Sequence, residues 1–180
     1  MEAIEFIKNI LLLPVNENFI VLSSFRRELL PETNADNHEQ LRFNLANLGH
    51  NVIELRASYK ITPKNAAQTE KLVFIRNGQL YDGLLLGKKY NQPALLYKTS
   101  DKISVLDTNI GRELWTYSFC NSVTAGDFRS AFTEYLSIKY GHQILSEVVV
   151  KKLHIPTKLE SLLRLKNKQG LAQAEWIELC

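Results

Sequence analysis

The apolar residues of this chain arrive in short runs of β-branched and aromatic side chains, each closed by turn-forming residues, and that punctuation constrains the fold most. NFIVLSS (18–24), VIEL (52–55), KLVFIR (71–76), ALLYK (94–98), ISVL (103–106) and ELWTYSF (113–119) all have strand length. Between them lie stretches with helical spacing: Leu41, Leu45 and Leu48 ahead of Gly49, Leu80 and Leu84 after the turn pair Asn77-Gly78, and residues 127–140 ahead of Gly141. Strands and helices interleaved in this way predict an α/β fold, with a mixed β-sheet of about five to seven strands flanked by helices. The turn residues Thr99-Ser100-Asp101-Lys102 predict a hairpin between 94–98 and 103–106.

With 180 residues and 45% apolar content, one α/β core accounts for residues 1–155, opening with a short amphipathic helix at 3–12. A valine-rich strand is expected over Ile144–Leu153. Residues 156–180 then form a C-terminal helical extension, opened by the capping-box pair Thr157 and Glu160 and closed at Gly170. Apolar runs such as Ile10–Leu13 and Val148–Val150 fall far short of the roughly 20 residues a spanning helix needs, so no membrane partner is expected. Glu2 and Glu5 stand where a secretory leader would carry positive charge. Cys120 and Cys180, the two cysteines, make neither a disulfide framework nor a zinc spacing, and a cytoplasmic setting is the expectation. No metal or cofactor is expected, because His38, His50, His142 and His154 lack the one-face spacing of a helical metal site.

Three groups of residues could carry chemistry. Ser23, Ser24, Arg26 and Arg27 follow what reads as a parallel strand, and open α/β sheets place ligands beyond strand carboxyl ends. Hydroxyls beside guanidiniums suit a phosphate or carboxylate, although the same arginines could instead pair with Glu28 and Glu32 in solvent. Glu54 and Glu70, on neighbouring expected strands, could act as paired carboxylates. Tyr59, Tyr81, Tyr90 and Tyr97, interleaved with Lys88, Lys89 and Lys98, have the composition of a surface that stacks bases and neutralises phosphates. A further basic stretch, Lys158, Arg164, Lys166 and Lys168, precedes Trp176 and could contact another macromolecule. No GxSxG elbow or recognisable catalytic cysteine is present, and no catalytic residue is assigned.

From Ile20 to Leu106 the chain resembles a bacterial family known as domain of unknown function 3293. The likeness rests on VLSSFRRELLPETN followed by LRFNLANLG, on the acidic residue of TEKLVFI, and on the helix-to-strand junction LGKKYNQPALLY. It places Asn34, Glu70 and Gln92 on polar positions of the family pattern. Ser-Ser-Phe-Arg replaces an Ala-x-Asn-Pro type of strand end, and His38 stands where a second Asn is usual. The resemblance implies no activity.

Together these features rank a small non-catalytic binding or interaction domain first, an accessory protein of a bacterium or mobile element that contacts another protein. Second is an enzyme or sensor for a phosphorylated small molecule or nucleotide, bound at the sheet edge by Ser23, Ser24, Arg26, Arg27, Asn34, Glu70 and Gln92. Third is a nucleic-acid-binding protein.

Overall fold

The structure, a computed structural model, describes residues 17–59, 68–118, 125–141 and 178–179. Strand β1 (Phe19–Leu22) leads through a loop into helix α1 (Pro31–Asn47), followed by β2 (Val52–Tyr59) and β3 (Gln68–Arg76). Helix α2 (Leu80–Lys89) precedes a meander of β4 (Ala94–Lys98), β5 (Lys102–Asp107) and β6 (Glu113–Ser118), and α3 (Ala125–Tyr140) follows. A two-residue β7 (Glu178–Leu179) completes a sheet of order β6-β5-β4-β1-β3-β2-β7. The α/β architecture of a five-to-seven-stranded sheet flanked by helices therefore holds. Every described ladder is antiparallel, however, so the parallel-strand premise for placing a ligand after β1 does not apply.

Strand alternation sorts the side chains into two cores. Phe19, Val21, Leu55, Ala57, Tyr59, Leu72, Phe74, Leu96 and Val105 face α3, where they meet Phe132, Tyr135 and Leu136. Ile20, Leu22, Val73, Ile75, Leu95 and Leu106 face the other way, toward Leu41 and Leu45 of α1 and Leu86 of α2. All four residues of β1 are buried, which marks a central strand covered on both faces.

α1 begins earlier than leucine spacing alone suggests. Pro31 occupies its first turn, where the missing N–H is no loss, and Glu32 complements the helix dipole. Gly49 takes a φ of +82° and Gly141 a φ of +64°, the left-handed C-terminal stops expected of both glycines. Of the C-terminal region only Glu178–Leu179 is described, as a strand paired with Leu55 and Arg56 of β2 rather than as helix. The amphipathic helix at 3–12, the strand at 144–153, Lys158, Arg164, Lys166, Lys168 and Trp176 lie outside the described residues.

The β5–β6 turn is locked against α2 at Gly87. A Cβ there would lie 2.6 Å from Thr108 Cγ2, and Thr108 cannot swing aside because its hydroxyl donates to the Gln92 carbonyl. Alanine's helix propensity is about 1 kcal/mol better than glycine's, but overpacking costs about 1–3 kcal/mol. Gly87→Ala should therefore lower the urea midpoint, and adding Thr108→Ser, which removes the clashing methyl, should recover most of the loss.

Candidate functional site

Three elements turn from apolar to polar at the same end of the molecule. The buried face of α1 reads Leu45, Leu41, His38 and Asn34 toward its N-terminus. The α3-facing series of β3 reads Phe74, Leu72 and then Glu70, which is enclosed. α3 ends its buried series Ala131 and Tyr135 with Lys139. These changes meet where β1 stops. Leu22 pairs with Val73, so β3 runs on toward Gln68 with no β1 partner, and the β1–α1 loop fills only part of the space. A cleft of about 410 Å³ remains, lined by Ser24, Phe25, Arg27, Leu29, Pro31, Asn34, Ala35, His38, Thr69, Glu70 and Lys71.

The loop forming one wall is held by buried polar side chains. Ser23 Oγ accepts the Phe25 amide at 2.9 Å and donates to the Lys71 carbonyl at 3.3 Å. Asn34 Oδ1 accepts the Arg26 amide at 2.9 Å, while its Nδ2 donates to the Arg26 and Leu29 carbonyls at 2.8 and 3.3 Å. Gln92 Nε2 reaches across to the Phe25 carbonyl at 3.2 Å. Asn34, Glu70 and Gln92, singled out by the family resemblance, thus surround one loop; Asn34 and Gln92 brace it and Glu70 lines the cleft. Ser23 is likewise occupied with backbone. Arg26 pairs with Glu28 as the solvent alternative has it, and it is Arg27 that borders the cleft.

Glu70 and Lys139 form an ion pair at 3.1 Å with side chains 0% and 3% exposed. Tyr140 donates its hydroxyl to the other Glu70 oxygen. Arg27 lies over the Tyr140 ring at 5.0 Å and donates to Gln68 at 3.2 Å. Burial and the nearby Glu70 charge push the Tyr59 hydroxyl up to about 12 and that of Tyr140 far above its ordinary range. Burial pulls the Lys139 ammonium down, with Glu70 opposing. The Tyr59 hydroxyl sits near Tyr140 and Arg27 without a well-formed hydrogen bond, and the Tyr135 hydroxyl has no partner among the described residues. Ser24 Oγ is also buried without a partner among them.

On the opposite face of the sheet, His38 Nε2 meets Glu54 at 2.9 Å, and Lys71 and Arg42 approach the same carboxylate at 3.2 and 3.7 Å. Because a carboxylate only accepts, Nε2 carries the proton whenever this imidazole is neutral. His38, Glu39 and Glu54 bring ligand-capable atoms within 4.8 Å of one another, but Arg42 and Lys71 already neutralise the carboxylates. Glu54 and Glu70 cannot act as paired carboxylates: Glu54 faces α1 and Glu70 faces α3, because Ala57 rather than Glu54 is the β2 residue opposite Glu70. The Tyr/Lys group does not form one stacking surface either. Tyr59 and Tyr90 are buried, and Lys98 is fully enclosed, donating to the Glu17 carbonyl at 2.8 Å with its ammonium pulled down to about 8 by burial.

Sequence spacing offers no pointer to Lys139 and Tyr140 as site residues. Their one signal is a Lys-Tyr pair in the last turn of a helix that is apolar on that face up to Leu136. No described helix is long and apolar enough to cross a membrane.

No family model and no curated protein matches the chain. Among solved structures it is similar to a phage SAM lyase in complex with S-methyl-5'-thioadenosine, at 13% identity and a TM-score of 0.26, over 59% of this chain and 88% of that one. Overlap this loose carries neither fold nor chemistry across.

His38 should leave a signature in acid. Burial holds its imidazole below the ordinary value of 6.5 despite Glu54. As pH falls through 6.5 the unfolded chain takes up a proton that the folded chain resists, so stability is lost from that pH downward. Glu54, whose depressed carboxyl pKa starts from 4.5, adds its own loss only at lower pH. Urea unfolding between about pH 7 and about pH 5.5 should therefore show a smaller drop for His38→Gln than for the native chain.

Proposed function

We propose that the chain is a small-molecule-binding protein whose ligand, nucleotide-sized and carrying an anionic group, enters the cleft at the end of β1. The observation that supports this most is that His38 and Glu70, the polar ends of two apolar series, both line one cleft, with Lys139 paired to Glu70. Burying charge costs several kcal/mol before pairing repays it, and such departures from apolar patterning gather at functional sites. The cleft volume of about 410 Å³ falls within the range of small-ligand pockets.

The lining offers complementary parts. Phe25, Leu29, Pro31 and Ala35 give an apolar wall. Arg27 has no carboxylate partner among the described residues, and its guanidinium can hold a phosphate or carboxylate with paired hydrogen bonds. Ser24 also lines the cleft, with its hydroxyl enclosed. Glu70 lines the cleft with its carboxylate enclosed by Lys139 and Tyr140, so a ligand hydroxyl or amine would reach it by displacing one of them. This favours the phosphorylated-ligand reading over a purely macromolecular one. The contiguous hydrogen bonds from Tyr140 and Lys139 to Glu70 also support a second reading, in which the bound molecule is a substrate and Glu70 moves a proton.

Thermal unfolding in the presence of nucleotides and sugar phosphates tests the reading. A compound present at about a hundred times its dissociation constant adds about 2.7 kcal/mol, a rise of roughly 5–10 °C at this size. The expected result is such a rise with a phosphate compound, lost in Arg27→Ala and kept in Arg26→Ala. A flat panel, or equal responses from both variants, would reject the anionic site. Conversion of the stabilising compound by the native chain but not by Glu70→Gln would establish the second reading.

A further inference from the structure

Among the described residues, helix α2 is covered on one side only. Gly83, Leu86 and Gly87 pack onto the sheet and the β5–β6 turn, while Tyr81 and Leu85 remain 71% and 50% exposed. One turn apart, these two share a face, and the half-buried Leu84 joins them to the turn, where Gly111 lies against its side chain. At the tip of that turn Ile110 is 68% exposed. The turn is well braced: Asp107 accepts the amides of Asn109 and Ile110 at 2.8 and 3.3 Å, and Gly111 adopts a φ of +68°. Structure is thus invested in displaying an isoleucine to solvent, and nothing in the core requires it.

Cations outnumber acids around this face. Lys88, Lys89 and Arg112 are exposed and have no carboxylate partner among the described residues. The nearby acids are engaged, Asp82 with His50 at 2.7 Å and Asp107 with the turn amides. The lysines also suit the C-terminal end of the helix dipole, but that accounts for neither Tyr81, Leu85 nor Ile110.

We infer that this face docks an acidic amphipathic segment of another protein, its apolar side chains on Tyr81, Leu85 and Ile110 and its carboxylates on Lys88, Lys89 and Arg112. Contiguous exposed apolar groups with a polar rim mark interaction sites, and the excess of positive charge on this rim selects an acidic partner. A second copy of the chain would set like charges against each other. The surface shares no residue with the cleft, so the two readings stand or fall separately.

The test uses the full chain and a fluorescent synthetic helix with leucines on one face flanked by glutamates, followed by anisotropy. Binding should weaken as salt is raised. It should fall at least about tenfold in Leu85→Ser and in Lys88→Glu, each checked to remain folded by its melting curve, and be unaffected by Arg27→Ala. The inference is overturned if the glutamate peptide does not bind, if its lysine counterpart binds equally, or if the two substitutions change nothing. It is also overturned if Leu85 and Lys88 instead govern sedimentation with phosphatidylserine vesicles, or self-association of the chain.

Discussion

The central strand is four residues long, and everything near the cleft follows from where it ends. Phe19–Leu22 lies between β3 and β4 with both faces covered, so each side chain contributes roughly 1.5–3 kcal/mol of burial. Both cores close on it. β3 is nine residues long and pairs with β1 only from Val73 onward, so its first part flanks a space that no described strand fills. Backbone leaving a sheet needs new hydrogen-bond partners. Ser23, Asn34 and Gln92 provide them, which explains why polar side chains are buried under a loop that a longer β1 would have made unnecessary.

Glu70 and Lys139 need a different explanation, because no backbone group among the described residues depends on them. Leu72 and Phe74 show that an apolar side chain suits this face of β3, as do Ala131 and Tyr135 for α3. A buried pair gains attraction in a low dielectric but loses hydration on both sides, so its net contribution to stability is small. Tyr140 improves the balance by satisfying the second carboxylate oxygen. Glu70 of this pair lines the cleft.

Much of the fold was legible in the sequence because it is local. The Asn77-Gly78 turn, the glycine stops of α1 and α3 and the 94–106 hairpin follow from backbone preferences of the residues themselves. The long hairpin arms of β2 and β3 were less visible. Arg56-Ala57-Ser58-Tyr59 alternates polar and apolar, which extends β2 past Leu55 and buries Tyr59, but the alternation is short and ends in polar residues. The cleft was legible in part. Strand-to-loop placement of Ser24 and Arg27 came from local pattern, whereas the separation of Glu54 from Glu70 depends on a register between strands that one sequence does not state. Lys139 reaches Glu70 across sixty-nine residues, and nothing local marks that contact.

If the buried pair is held for the cleft, the fold does not rely on it for stability. Urea unfolding of the double variant Glu70→Gln with Lys139→Met tests it directly, since the amide keeps an acceptor for Tyr140 and both charges vanish together. The expected result is a double variant within about 1 kcal/mol of the native chain, or more stable than it. A loss of about 3–5 kcal/mol, the cost of breaking a buried pair that the fold relies on, would contradict it.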